Sequence, residues 1–251
     1  MATQMLIYET AVPLTHLRHG QWSLQAGGDF AFARQVNAVP LMAVEFAPAS
    51  DDYAIVFAGK GEEVMPAAIL GLRAKQNLYL DAALKWSTKY VPAFVRRYPF
   101  VFSGAADGKT FTVCIDEAYS GFNQAGQGQR LFGDDSKPTP YTQGVLKFLQ
   151  EYQAQFMRTQ AFGRKLAELK LLAPMQADLA QPGGPKTSLS GFLAVDRKKL
   201  RELPGAALEE LARNDGLELL YLHLHSLRNF NDLKDRFVAA QAVAAPSAAA
   251  A

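Results

Sequence analysis

The chain of 251 residues is 49% hydrophobic and 20% charged, the composition of an ordinary globular protein. Its 26 lysines and arginines nearly balance its 24 aspartates and glutamates. We therefore expect no nucleic-acid partner, because such proteins carry a basic excess or stripe. The single cysteine, Cys114, excludes a disulfide within the chain and a four-cysteine zinc site. Neither a signal-peptide pattern nor a membrane-spanning apolar run is found, so a cytoplasmic protein without a transmembrane segment is expected.

Short apolar runs follow one another over the first 140 residues, separated by Gly, Pro and Asp. Five of these runs have the length and composition of strands, and they cover residues 53–57, 67–72, 77–80, 98–102 and 110–115. The dipeptide Asp107-Gly108 predicts a hairpin turn between the last two. Because no long helix separates the runs, they predict an antiparallel sheet.

The pattern changes after a loop rich in Gly and Pro at 121–140. From residue 142 to 172 apolar residues recur at spacings of three and four, which predicts an amphipathic helix. Gly163 is expected to bend or divide this helix, and Pro174 to mark its end. The remaining segments are predicted as a connection at 181–185, a strand at 191–195, a helix at about 204–213, a strand or buried helix at 217–224 and a helix at 229–240.

Together these patterns predict an α+β protein with one domain over residues 1–240. A part rich in antiparallel sheet, at about 1–140, is expected to pack with C-terminal helices at about 141–240. The final residues, 241–251, consist mainly of alanine and are predicted to form a disordered tail.

The segment 90–100 combines two arginines with several aromatic residues and two prolines. Arginine recognises carboxylates and phosphates with two parallel hydrogen bonds, and neighbouring rings can stack on a ligand or clamp a peptide. Tyr90, Phe94, Arg96 and Arg97 are therefore the predicted binding residues for a small molecule or peptide. The alternative is that the rings belong to the core and the arginines form ion pairs within the fold.

Three histidines complete the set of candidates. On a strand, His223 and His225 would share one face, and the pair could begin a metal site with Glu45, His19 or Asp116 as a further ligand. The alternative is a polar strand face or a histidine that is hydrogen-bonded in the core. His19 is also a predicted ligand-binding residue, with a histidine in a loop or helix cap as the alternative.

Several segments resemble the SapC family of bacterial proteins, and the resemblance covers about residues 8–235. The most specific segment runs from Tyr90 to Phe100, because no generic pattern produces it. Further similar segments are Val12-Pro13-Leu14, Arg18-His19-Gly20, Val39-Pro40-Leu41, Tyr53-Ala54-Ile55-Val56-Phe57 and Tyr221-Leu222-His223-Leu224-His225-Ser226-Leu227.

The resemblance implies a role near surface-layer biogenesis or nutrient uptake. The family takes its name from a surface-layer gene locus, and its members also occur beside TonB-dependent receptors, flavin-dependent tryptophan halogenases and cupin-like proteins. The resemblance supplies no catalytic residue and no cofactor.

Three functions follow as hypotheses. The preferred one is an accessory protein that binds a ligand or a protein partner, because the sequence contains no strong catalytic motif. The second is an enzyme of oxidative or amino-acid and peptide tailoring with a metal held by histidines. The third is a structural partner in surface assembly.

Overall fold

A computed structural model describes residues 6–25, 27, 29–104, 111–179 and 187–244, and it confirms the α+β class. The strands are β1 (Ala11–Pro13), β2 (Ser23–Leu24), β3 (Ala38–Pro40), β4 (Ile55–Ala58), β5 (Met65–Ile69), β6 (Phe100–Gly104), β7 (Phe111–Asp116), β8 (Phe122–Asn123), β9 (Gln129–Arg130), β10 (Leu172–Leu179) and β11 (Thr187–Val195). The helices are α1 (His16–His19), α2 (Phe46–Ala49), α3 (Ala93–Arg96), α4 (Pro140–Glu168), α5 (Arg197–Arg201), α6 (Gly205–Arg213), α7 (Gly216–Ser226) and α8 (Asn229–Ala244). In these ranges, no helix is both long and apolar enough to cross a membrane.

The strands form three antiparallel sheets. The largest has the order β10-β11-β4-β5-β3, and β11 joins it where Leu193 lies opposite Phe57. Strands from the second half of the chain therefore complete a sheet begun by the first half. The second sheet has the order β1-β7-β6, and the small third sheet has the order β8-β2-β9.

Two hydrophobic cores meet along α4. The main core covers the largest sheet with residues of α2, α6, α7 and α8, and α4 contributes Tyr152 and Leu166 to it. The second core lies on one face of the β1-β7-β6 sheet, where Phe100 and Ile115 contact Leu149 of α4. The long helix thus holds the two sheets in a fixed relation.

The predicted pairing of residues 98–102 with 110–115 is confirmed as the β6–β7 pair, in which Phe102 lies opposite Val113. Residues 105–110, with the predicted Asp107-Gly108 turn, lie outside the part of the chain that the structure describes. The same is true of the predicted connection at 181–185.

Another local prediction is wrong. Segment 77–80 is not a strand, because the Asn77 side chain accepts a hydrogen bond from the Tyr79 backbone and folds the chain into a turn. Segment 217–224, predicted as a strand or a buried helix, lies in helix α7, so the second alternative is confirmed. Helix α8 extends to Ala244, into the predicted tail, and residues 245–251 are outside the described ranges.

Helix α4 runs unbroken past Gly163 and ends at Glu168, so that Pro174 lies in strand β10. Gly163 is buried where the helix crosses the turn at Gly61–Glu63. A Cβ atom added at Gly163 would overlap the carbonyl oxygen of Val64. The glycine is required for this close approach of two backbones.

We predict that Gly163→Ala destabilises the protein by about 1–3 kcal/mol, because the methyl group cannot be accommodated without moving the backbone. Gly144→Ala, on the same helix, is the matched control, since a Cβ atom added there would have nothing within 4 Å. That change should stabilise the protein by about 0.5–1 kcal/mol through helix propensity. Urea unfolding of both variants measures the difference, and equal effects would contradict the packing role of Gly163.

Candidate functional site

The segment 90–100 connects the two cores. It begins at Tyr90, forms helix α3 and continues into β6 at Phe100. Phe94 is completely buried and Arg97 is only 3% exposed. Two of the four predicted binding residues in this segment therefore belong to the interior.

The guanidinium group of Arg97 is enclosed by aromatic rings. Its central carbon lies 4.4 Å from the ring centroid of Phe94, 4.8 Å from that of Tyr152 and 5.6 Å from that of Tyr8. These are cation–π distances, and such contacts are strongest where water is excluded. Burial raises the pKa of Tyr152 to about 12, so its hydroxyl stays neutral beside the cation. Arg97 is thus a cation buried within the fold among three aromatic rings.

Tyr90 is fixed by the buried carboxylate of Glu45. The Tyr90 hydroxyl donates to Glu45 Oε1 at 2.8 Å, and the Ala93 backbone N–H donates to the same oxygen at 2.7 Å. Glu45 Oε2 accepts the Met42 backbone N–H at 2.8 Å. Burial raises the pKa of Glu45 despite these donors. Glu45, which the sequence suggested as a metal ligand, instead anchors segment 90–100 to the main core.

Arg96 is the exposed member of the four predicted residues. Its Nε donates to the Val91 carbonyl at 2.9 Å, and its guanidinium lies 5.4 Å from the Phe148 ring and 5.8 Å from the Tyr90 ring. Tyr90, Phe94, Arg96 and Arg97 are neighbours, but they are held by contacts within the fold. The cavity described below includes none of them.

His19 is completely buried, and both of its ring nitrogens are hydrogen-bonded. Nδ1 accepts the Thr15 backbone N–H at 3.1 Å, so Nε2 carries the proton and donates to Glu117 Oε1 at 2.9 Å. Arg18 also donates to Glu117. Burial acts to raise the pKa of Glu117, but the hydrogen bonds from His19 and Arg18 lower it overall. His19 therefore ties α1 to the end of β7.

The strand premise for the histidine pair is wrong, because His223 and His225 lie on helix α7. Residues two apart on a helix are separated by about 200° around its axis, and the two imidazoles accordingly occupy different environments. His225 is exposed, whereas His223 is completely buried. The structure does not bring the pair together.

Both ring nitrogens of His223 are occupied. Nε2 accepts the Val195 backbone N–H at 3.0 Å, and Nδ1 donates to the Ile55 carbonyl at 2.9 Å. Asp116, named as a third ligand, accepts the backbone N–H groups of Glu9 and Thr10. Over the described ranges, no group of three His, Cys, Asp or Glu side chains is placed to hold a metal ion.

An open groove of about 460 Å³ lies between the β6–β7 pair and helix α4. We call it the hairpin groove, and its lining residues are Phe102, Phe111, Val113, Leu146, Gln150 and Gln153. Sequence reasoning did not single out any of them. The available signal was the alternation of Phe111 and Val113 on a strand together with residues at positions i, i+4 and i+7 of a helix.

The groove exists because the second core thins along the β6–β7 pair. Phe100 and Ile115, at its base, are buried, and Phe102 and Val113, two pairs further on, are partly exposed. Phe111 is 39% exposed. The sheet face therefore remains apolar beyond the point where α4 covers it.

We predict that Arg97→Ala lowers the free energy of unfolding by about 3 kcal/mol, because it empties a buried site between three rings. The adjacent Arg96→Ala is the control and should cost less than about 1 kcal/mol, since its side chain is exposed. Urea unfolding of the two variants tests the assignment. A larger loss for Arg96→Ala would show that Arg97 is not a core residue.

His223 should make stability depend on pH. Burial lowers its pKa to about 4, from the ordinary 6.5. The unfolded chain then binds the proton more tightly, so stability present above about pH 6.5 is lost as the pH falls towards 4. This lowering of the His223 pKa corresponds to about 3 kcal/mol in the free energy of unfolding.

Urea unfolding at about pH 7, 5.5 and 4 measures this loss, and His223→Gln should flatten it. His225→Gln, which changes an exposed histidine on the same helix, should keep the original profile. Identical profiles for the two variants would contradict the role of His223.

Comparison with known proteins agrees with the resemblance found in the sequence. The sequence model of the SapC family matches residues 14–233, which is most of the chain. Searches of curated proteins and of solved structures find no match. The length of the family match decides the assignment: this chain is a member of the SapC family.

Proposed function

We propose that this SapC family protein is an accessory protein that binds a segment of a polypeptide partner in the hairpin groove. The observation that carries the proposal is the groove itself, where an apolar sheet face continues into the open beside α4. The groove has a volume of about 460 Å³ and is open to solvent.

The lining of the groove favours an uncharged peptide segment. Four of the lining side chains are apolar, and the other two, Gln150 and Gln153, are amides. Apolar side chains of a partner would remove Phe111 and its neighbours from water, which is favourable by about 25 cal/mol per Å². Each amide both donates and accepts hydrogen bonds, and so matches the N–H and C=O groups of a peptide backbone.

The partner, in this proposal, is a component of a surface-layer or TonB-dependent uptake system, as the family resemblance implies. The protein would meet it in the cytoplasm. The segment 90–100 contributes indirectly, because its buried contacts through Glu45 and Arg97 fix the base of β6.

A charge placed in the groove should weaken binding. We propose to select peptides of about 12 residues from a phage-displayed random library on the unmodified protein, and to measure the tightest uncharged peptide by fluorescence anisotropy. Gln150→Glu should weaken its binding about tenfold or more, because the carboxylate would be desolvated without a partner.

Gln160→Glu is the matched control, because it makes the same change on the same helix at a partly exposed position outside the groove lining. The two positions are ten residues apart, which is about 15 Å along a helix axis. The control should alter the affinity by less than about twofold. Failure to select any peptide, or equal weakening by both variants, would overturn the proposed function.

A further inference from the structure

We infer that the partner segment binds as an added β-strand along the outer edge of β6, with its apolar side chains in the hairpin groove. This inference rests on the proposed function and specifies its ligand as an extended, uncharged polypeptide segment of another protein. The hydrogen-bond pattern of β6 carries it.

The register of the β6–β7 pair shows which backbone groups point outwards. The Asp116 N–H donates to the Pro99 carbonyl at 2.9 Å, which marks these two residues as a hydrogen-bonded pair. In an antiparallel ladder such pairs alternate, so Val101 and Ser103 direct their N–H and C=O groups towards β7. The N–H and C=O groups of Phe102 and Gly104 therefore point away from β7.

The hydrogen bonds of Phe100, two residues before Phe102, confirm that alternate residues of β6 point their main-chain groups away from β7. The Phe100 carbonyl accepts the Tyr8 hydroxyl at 2.7 Å, and its N–H donates to the Arg97 carbonyl at 2.8 Å, so neither group bonds to β7. These two bonds close the edge at the base of β6. Further along the strand, the structure gives the outward groups of Phe102 and Gly104 no hydrogen bond to any described residue.

β6 is an edge strand of the β1-β7-β6 sheet. The main-chain groups of an edge strand are a template for pairing with another chain. An extended peptide is the ligand whose donors and acceptors repeat at the spacing of a strand, and proteins recognise peptides in this way by strand addition. The outward N–H and C=O groups of Phe102 and Gly104 thus favour a polypeptide ligand. A small apolar molecule could fill the groove but would not form hydrogen bonds with these groups.

Side-chain alternation sets the expected peptide sequence. Phe102 lines the groove, and a strand paired beside it would direct every second side chain to the same face. Those positions should be apolar, because they meet Leu146 and the other uncharged lining residues. The intervening positions should be polar, since they lie on the side of the exposed residue Ser103.

A separate partner fits this edge better than a second copy of the chain. Among the described residues, which are interrupted after Gly104, the open edge runs from Phe102 to Gly104, because Phe100 is already bonded to Tyr8 and Arg97. Symmetric pairing of two β6 strands through the outward groups of Phe102 and Gly104 would form few hydrogen bonds. A flexible segment can form the same bonds and also fill the groove.

The test is an N-methyl scan of the uncharged peptide selected on the unmodified protein, with one backbone amide methylated at a time. Methylation of an N–H that faces β6 should weaken binding about tenfold, because it removes a hydrogen bond and adds bulk at the edge. Methylation of an amide that faces away should change affinity by less than about twofold, which gives an alternating profile.

Amide hydrogen exchange, followed by NMR with and without the peptide, provides a second reading that needs no variant. Exchange of the Phe102 and Gly104 amides should slow about tenfold or more on binding, while the Val101 and Ser103 amides, already bonded to β7, should change little.

Three results would overturn the inference. A peptide that binds without an alternating profile, and without slowed exchange at Phe102 and Gly104, would exclude strand addition and leave the proposed function standing. Failure to bind any peptide would remove the proposed function as well. If these amides were already protected from exchange without peptide, and this protection increased with protein concentration, the edge would be assigned to a second copy of the chain.

Discussion

The burial of two ionisable side chains, Glu45 and Arg97, is the constraint on which the junction of the two cores depends. An ion removed from water is costly unless its surroundings replace the lost hydration. The carboxylate obtains this from Tyr90 and two backbone N–H groups, and the guanidinium lies against three aromatic rings. Segment 90–100 must place Tyr90 and the Ala93 N–H against Glu45 and also place Arg97 among the rings. These contacts fix its backbone, and the backbone in turn positions β6 beside α4.

This anchoring gives the β6–β7 pair a firm base and an open end. At the base, Phe100 is buried and its outward carbonyl is bonded to Tyr8. Towards Phe111 helix α4 no longer covers the same sheet face. The exposed apolar surface there lies beside the outward main-chain groups of β6. Loss of contacts in this open part costs the cores little, so a surface for a partner can exist there without weakening the fold. The proposed binding surface and the buried side chains of Glu45 and Arg97 are therefore linked through one strand.

The histidines show why residue type alone was a poor guide to the site. His19 and His223 each use both ring nitrogens inside the fold, where they connect distant segments. A histidine joining two backbone groups and a histidine ligating a metal look the same in a sequence. They differ only in what surrounds the ring, and α7 places His225 on another side from His223.

The sequence by itself determined the α+β class, the β6–β7 pairing, the long helix and membership of the SapC family, because local periodicity and a specific run of residues carry that information. It also indicated that segment 90–100 is special, but not that Glu45 and the rings around Arg97 make it structural. Only the tertiary structure decided this, because those contacts join residues far apart in the chain. The hairpin groove likewise arises from where α4 stops covering a sheet, and no local pattern encodes the relative position of two elements.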